Sequence, residues 1–246
     1  HGLDVPNIQH LIAGSLAKPL NSYGKNDKVD VILTNPPFGG MEEDGIENNF
    51  PADVRTKETA DLFLVLIMKL LKDGGKCAMV LPDGALFGEG VKTRIKEKLL
   101  TECNLHTIVR LPKSVFAPYT SINTNLLFFE KGRPTTATWF YRLDMPEGVK
   151  AFNKTNPMTI EHFAEVKEWW NNKQEIQQDG FDKAKQYTLD ELKTRNFNLD
   201  LCGYPTVEEE ILEPKELINQ YQTKRAELNA SIDSILTDIN KILGIS

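Results

Sequence analysis

Two consecutive prolines close the apolar run VDVILTN of residues 29–35. Pro36 and Pro37 fix two successive φ angles and remove two backbone donors, so the run cannot continue as a hydrogen-bonded strand past Asn35. Phe38 and the pair Gly39-Gly40 come next. An amide side chain, a carbonyl of fixed direction and an aromatic ring therefore fall within four residues at one strand end.

The residues around this segment alternate between two periods. HLIAGSL (10–16), VDVILTN (29–35), KCAMVLP (76–82), LHTIVRLP (105–112) and NTNLLFFEK (123–131) read as strands. ADLFLVLIMKLL (60–71) and VKTRIKEKLLTEC (91–103) read as helices. The first helix has Glu58 and Asp61 near its start, Lys69 and Lys72 near its end, and Gly74-Gly75 as a stop. This alternation predicts an α/β fold with a mostly parallel sheet. In open sheets of that kind ligands sit beyond the carboxyl ends of the strands. Ser15, Asn35 and Pro82-Asp83 all fall at such ends.

Residues 1–145 are expected to hold this sheet. The Pro- and Gly-containing stretch 146–213 reads as a linker and small subdomain, with a short helix carrying Trp169-Trp170 that is expected to pack rather than stack on bases. Residues 214–246 read as one helix. Ile218, Tyr221, Leu228, Ile232, Ile235, Ile239 and Ile242 follow heptad spacing, with Arg225 in the missing step. Such a seam is expected to bind a partner. The acidic loop MEEDGIENN is read as solvated, with a mobile flap as the alternative.

With 40% hydrophobic residues in 246, the chain can bury a sizeable core. It has no apolar run of the ~18 residues that a membrane helix needs. The start, HGLDVPNIQH, lacks both Met and the pattern of a secretory signal, and reads as an interior start. Cys77, Cys103 and Cys202 form no C-x-x-C pair and the four His are dispersed, so neither a zinc site nor a disulfide framework is expected. A reducing cytoplasm is the expected location. The net charge of −6 differs from the basic balance of a protein that grips DNA alone. A nucleic-acid function would draw part of its phosphate grip from a partner.

The strand-end segment suits one difficult reaction. The exocyclic amine of adenine is a weak nucleophile because its lone pair is delocalised into the ring. A site assists by accepting hydrogen bonds from both N–H groups, which stabilises the positive charge that develops on attack. The Asn35 amide oxygen and the Pro36 carbonyl can be those acceptors. Phe38 offers a ring face for a flat base, and the glycines permit close backbone approach. The device is preorganised electrostatics without a metal.

[DNS]-P-P-[YFW] at a strand end is the signature of the S-adenosylmethionine-dependent amino-methyltransferases. TNPPFGG together with TADLFLVLIMKLLKDGGKCAMVLPDGALFGEG resembles the modification subunit of type I restriction-modification systems, which are N6-adenine DNA methyltransferases. HGLDVPNIQHLIAGSL and RLPKSVFAPYTSINTNLLFFEK (110–131) resemble that family's flanking segments. The resemblance implies a Rossmann-like methyltransferase sheet with a helical tail. It implies that Asn35 and Pro36 hold the target amine, with Pro37 and Phe38 completing the catalytic motif. Phe38 and Phe116 would contact the flipped base, and Ser15, Asn35 and Pro37 would border S-adenosylmethionine. The implied partners are double-stranded DNA, a specificity subunit bound through the terminal helix and, where present, a restriction subunit. The family's glycine-rich cofactor loop is not found in the sequence, and GKNDK and FGEGVK do not replace it. The chain by itself is therefore expected to be inactive and to bind the cofactor poorly. The other readings are a ribosomal RNA guanine-N2 or protein glutamine methyltransferase, or a non-catalytic assembly subunit.

Overall fold

The computed structural model describes residues 15–38, 40–204 and 214–243. Most of the expected strand 10–16, including Gly14, lies outside these residues, as do 205–213. Strand β1 (Val29–Thr34) ends one residue before Asn35. Helix α1 (Thr59–Leu70) follows, with Leu62, Leu64, Val65, Leu66, Ile67 and Met68 all buried. A helix apolar on nearly every side must be enclosed by its neighbours. Each such side chain stabilises the fold by roughly 1.5–3 kcal/mol. The chain then enters β2 (Leu71–Pro82), which takes up Gly74-Gly75 as part of the strand rather than as a loop.

The β1–α1–β2 crossover makes β1 and β2 parallel neighbours. Helices α2 (Asp83–Phe87) and α3 (Val91–Glu102) lead to β3 (Cys103–Arg110). Next come β4 (Thr124–Lys131), β5 (Ala137–Arg142), α4 (Ala164–Asn171), β6 (Ile176–Gln178), β7 (Phe181–Thr188) and α5 (Leu189–Thr194). The sheet order is β1-β2-β4-β3-β5-β7-β6.

The α/β architecture and the terminal helix are as expected, but the sheet is mixed rather than mostly parallel. Only β1–β2 and β3–β5 are parallel neighbours, while the pairs involving β4 or β7 are antiparallel. The physical reason lies in the connections. Residues 111–123 form no crossover helix, so the chain turns back after β3 and inserts β4 between β2 and β3. Gln178 and Phe181 are paired across Asp179-Gly180, both at positive φ (52° and 79°), a two-residue hairpin turn. Strands β1, β2, β3, β5 and β6 nevertheless run the same way, and their carboxyl ends share one edge.

Alternate residues face opposite layers. Met79, Ile108, Phe129 and Phe140 join the core that includes α1 and α3, whereas Val109, Tyr141 and Ala184 join a second core under α4. The segment expected as a linker and subdomain supplies α4, β6, β7 and α5, and its residues through Tyr204 belong to the same compact unit as the sheet. Helix α6 (Pro214–Leu243) is a separate unit. Its side chains at Ile218, Tyr221, Leu228, Ile232, Ile235 and Ile239 are exposed, and that of Ile242 lies outside the described ones.

Candidate active site

The proline pair sits where β1 leaves the sheet. Asn35 and Pro37 are exposed, Pro36 is buried and Phe38 is half-buried. Pro37 follows Pro36 and restricts its ψ to extended values, which narrows the direction of the Pro36 carbonyl. The Asn35 amide makes no side-chain hydrogen bond to another described residue, so its oxygen is available to a ligand.

Phe38 is met from another strand end. The 111–123 loop carries Phe116, whose ring centroid lies 4.7 Å from that of Phe38 at an interplanar angle of 66°. This edge contact joins two residues 78 positions apart, and such pairs add about 0.5–1.5 kcal/mol beyond their buried area. Phe116 also packs on the core under α4, so it serves packing as well as meeting Phe38. Ser15 is exposed, and its carbonyl accepts a hydrogen bond from the Tyr23 hydroxyl at 3.1 Å. No described contact brings Ser15 to the Asn35–Phe38 segment.

The loop after the motif is tied down at its stem. The Thr59 N–H donates to the Gly40 carbonyl at 3.3 Å, and the Glu42 N–H to the Lys57 carbonyl at 2.8 Å. Gly40 has φ 120°, a conformation that favours glycine. Residues 41–49 are exposed or half-buried throughout, in keeping with a solvated loop, and the chain returns to the core just after them at Phe50 and Val54. Lys92 then bridges Glu58 (2.5 Å) and the buried Asp61 (3.1 Å) at the start of α1.

Beside the motif, the edge carries a polar network that the sequence reading did not assemble. Asp83 follows β2, Arg110 ends β3 and Asn125 begins β4. Asp83 accepts from the Arg110 guanidinium at 3.0 Å and from the Asn125 amide at 2.6 Å. Arg110 also pairs with Asp200. Its side chain is 8% exposed. Three strand ends and the 196–204 segment are thus tied together by charge. Pro82-Asp83 was visible as a strand end, but its partners lie 27 and 42 positions away.

Trp169 and Trp170 pack, as expected. Trp169 lies 4.6 Å from the Tyr141 ring and donates to the Gln174 carbonyl at 2.9 Å. Trp170 lies 4.8 Å from Phe128 and 5.9 Å from His106. Burial, with the Lys173 charge second, pushes the His106 imidazole down to about 4. The three cysteines are free and buried, and burial pushes Cys77 up to about 12. Among the described residues no His, Cys, Asp and Glu cluster could hold a metal ion, and no helix is long and apolar enough to cross a membrane.

A family model described as N-6 DNA Methylase matches residues 1–212. The chain belongs to that family. It is 51% identical over 247 residues to the type I restriction enzyme EcoEI methylase subunit of Escherichia coli, covering 99% of this chain and 49% of that protein. It is 36% identical over 166 residues to the EcoKI methylase subunit of Escherichia coli strain K12, covering 63% of this chain and 30% of that one. The chain therefore spans at most about half the length of these curated relatives. Among solved structures, a modification subunit from Vibrio vulnificus YJ016 aligns with TM-score 0.67 and 49% identity, over 73% of this chain and 37% of that one. A chain from a structure of type I R-M system assembly and conformational transition aligns with TM-score 0.72 and 34% identity, over 98% of this chain and 49% of that one.

Proposed function

We propose that this chain carries the catalytic motif of a type I modification methylase, which transfers a methyl group from S-adenosylmethionine to N6 of adenine in DNA. The observation that carries the reading is the strand-end Asn-Pro-Pro-Phe with Phe116 against Phe38 at 4.7 Å. Family membership and the EcoEI resemblance support it over an RNA or protein substrate.

In this reading the target base leaves the duplex, since its amine is out of reach within the stack. Phe38 and Phe116 form an aromatic lip against which it rests. The Asn35 amide oxygen accepts one N6 hydrogen and the Pro36 carbonyl the other. Both acceptors are neutral and already positioned, so the charge developing on the nitrogen meets an environment that need not reorganise. S-adenosylmethionine, when bound, supplies the methyl group as an electrophile on sulfonium sulfur. Asn35 and Pro37, exposed at the strand end, suit the methionine side of that cofactor. Ser15 is a candidate for its adenine side, supported by its place in the resembling segment alone.

Helix α6 would dock a specificity subunit. Ile232 and Ile235 are 53% and 56% exposed on its apolar seam, and such a stripe favours burial against another helix. DNA would then be gripped jointly, which suits the net charge of −6.

The deciding experiment uses a methylase of the relatives' full length that contains this chain, assembled with its specificity subunit. Labelled cofactor and DNA are supplied, and the DNA is digested to nucleosides. Label in N6-methyladenine that disappears in Asn35→Ala, and falls strongly in Phe116→Ala, is the expected result. No label on DNA, or label indifferent to Asn35, would refute the reading.

A further inference from the structure

We infer that Tyr119 is the ring that enters the DNA stack at the position the target adenine vacates. This deepens the proposed DNA-adenine reading and rests on it.

The starting observation is a large aromatic side chain held in the open. Tyr119 is 90% exposed, more than any other exposed large apolar side chain described. A singly exposed ring is ordinary on a protein surface, but the backbone that carries this one is hydrogen-bonded into a turn beside the motif. The Tyr119 N–H donates to the Phe116 carbonyl at 2.9 Å, and the Thr120 N–H to the same oxygen at 3.2 Å. The Ala117 N–H donates to the Ser114 carbonyl at 3.0 Å. The loop's two feet are bonded across the strand ends. The Leu111 N–H donates to the Thr124 carbonyl and the Asp83 N–H to the Asn123 carbonyl, each at 3.0 Å. The Ser114 hydroxyl receives the Phe152 N–H at 2.8 Å.

The same turn therefore carries two rings with opposite exposures. Phe116 is half-buried and touches Phe38 of the motif. Tyr119, three residues on, faces solvent. One ring meets the motif that would hold the flipped base, and the other stands in the open on the same hydrogen-bonded turn. Flipping leaves a gap in the duplex, and unstacking opposes it. A flat side chain placed in that gap restores stacking and holds the base out.

Charge points the same way. Residues 103–129 contain no Asp or Glu, in a chain that has 35. Within the loop, Lys113 is exposed. A cavity of about 480 Å³ beside it is lined by Lys113, Ser114, Thr120, Ser121 and Asn123 together with Ala117 and Pro118. Hydroxyls, amides and one ammonium without a carboxylate suit a phosphate backbone.

The test uses the assembled full-length methylase and duplexes containing the site it methylates. In one series 2-aminopurine replaces the target adenine and its fluorescence reports extrusion. In the other, methyl transfer is measured with the target adenine either paired or opposite an abasic position. Tyr119→Ala is expected to lower the extrusion signal and to slow methylation of the paired target about tenfold or more. The loss should shrink toward the wild-type rate when the adenine is already unpaired. Tyr119→Phe, which keeps the ring, should restore the signal. Tyr119→Ala behaving as wild type on the paired duplex, or losing equally on both duplexes, would overturn the inference. Asn35→Ala separates the two claims. If it abolishes methylation while Tyr119→Ala changes nothing, the inference fails and the proposed function stands; if wild-type enzyme leaves DNA unmethylated, the proposed function itself fails.

Discussion

Arg110→Met removes the one cation at the centre of the strand-end network, and its effect can be worked from the contacts. Arg110 is 7% exposed and serves two carboxylates. Removing one partner of a buried pair typically costs about 3–5 kcal/mol, because the remaining charge is left without compensation. Two features move this case to the lower end. The Asp200 side chain is 36% exposed and can hydrate, and Asp83 keeps its 2.6 Å bond from Asn125. The expected loss is therefore about 3 kcal/mol. For a chain of this size it corresponds to a fall in Tm of about 6–12 °C. Arg110→Lys should lose less, since its single ammonium can satisfy one carboxylate well. The assay is urea and thermal unfolding of this chain followed by circular dichroism. The control is the double mutant Arg110→Met/Asp83→Asn, in which the Asp83 charge is gone and the one carboxylate left without its cation is the partly exposed Asp200. Its loss should fall short of the sum of the single losses by at least about 1 kcal/mol. A single-mutant loss under about 1 kcal/mol, or strict additivity, would show that the network is surface decoration.

Other outcomes follow from the same structure. His106 is pushed down to about 4 in the folded chain from the ordinary 6.5, chiefly by burial and then by Lys173. Below 6.5 the unfolded chain takes up a proton that the folded chain refuses, so stability should fall as pH drops from about 6.5 toward 4 and not change further through this group. His106→Gln should flatten that part of the pH–stability curve, and an unchanged slope would refute the assignment. Val29, Val31 and Leu33 are 42%, 60% and 77% exposed on β1, which is an edge strand among the described residues. Such an edge favours self-association. The chain should show concentration-dependent oligomers by sedimentation, and Leu33→Lys should weaken them. Calorimetric titration of this chain with S-adenosylmethionine should show binding weaker than micromolar, because the sequence offers no glycine-rich loop for the cofactor; micromolar affinity would refute that expectation.

The sequence by itself determined the local pieces. The apolar run of residues 29–35 with two prolines after it wrote both a strand and its end. The helical run over residues 60–71 is apolar on so many sides that it must be enclosed, and the heptad spacing after Pro214 gave the long helix. These are properties of φ restriction and of side-chain period, which act over a few residues. The hairpin at Asp179-Gly180 was equally local, and its Asp-Gly turn was there to be read. What the sequence did not disclose depends on contacts between distant residues. ATWFYR is nearly continuous in apolar character, and its place as β5 follows from burial on both faces beside β3 and β7. A buried Arg142 at its end looks like a loop residue until it meets Asp144 at 2.7 Å and the Gly203 carbonyl at 3.0 Å. Strand direction was also undecided locally, because no pattern in NTNLLFFEK says whether it runs with its neighbours or against them. Only the tertiary structure brought Phe116 to Phe38 and Arg110 to Asp83. Strand ends converge there because parallel strands aim their carboxyl termini at one edge, and the chemistry of this protein gathers where they do.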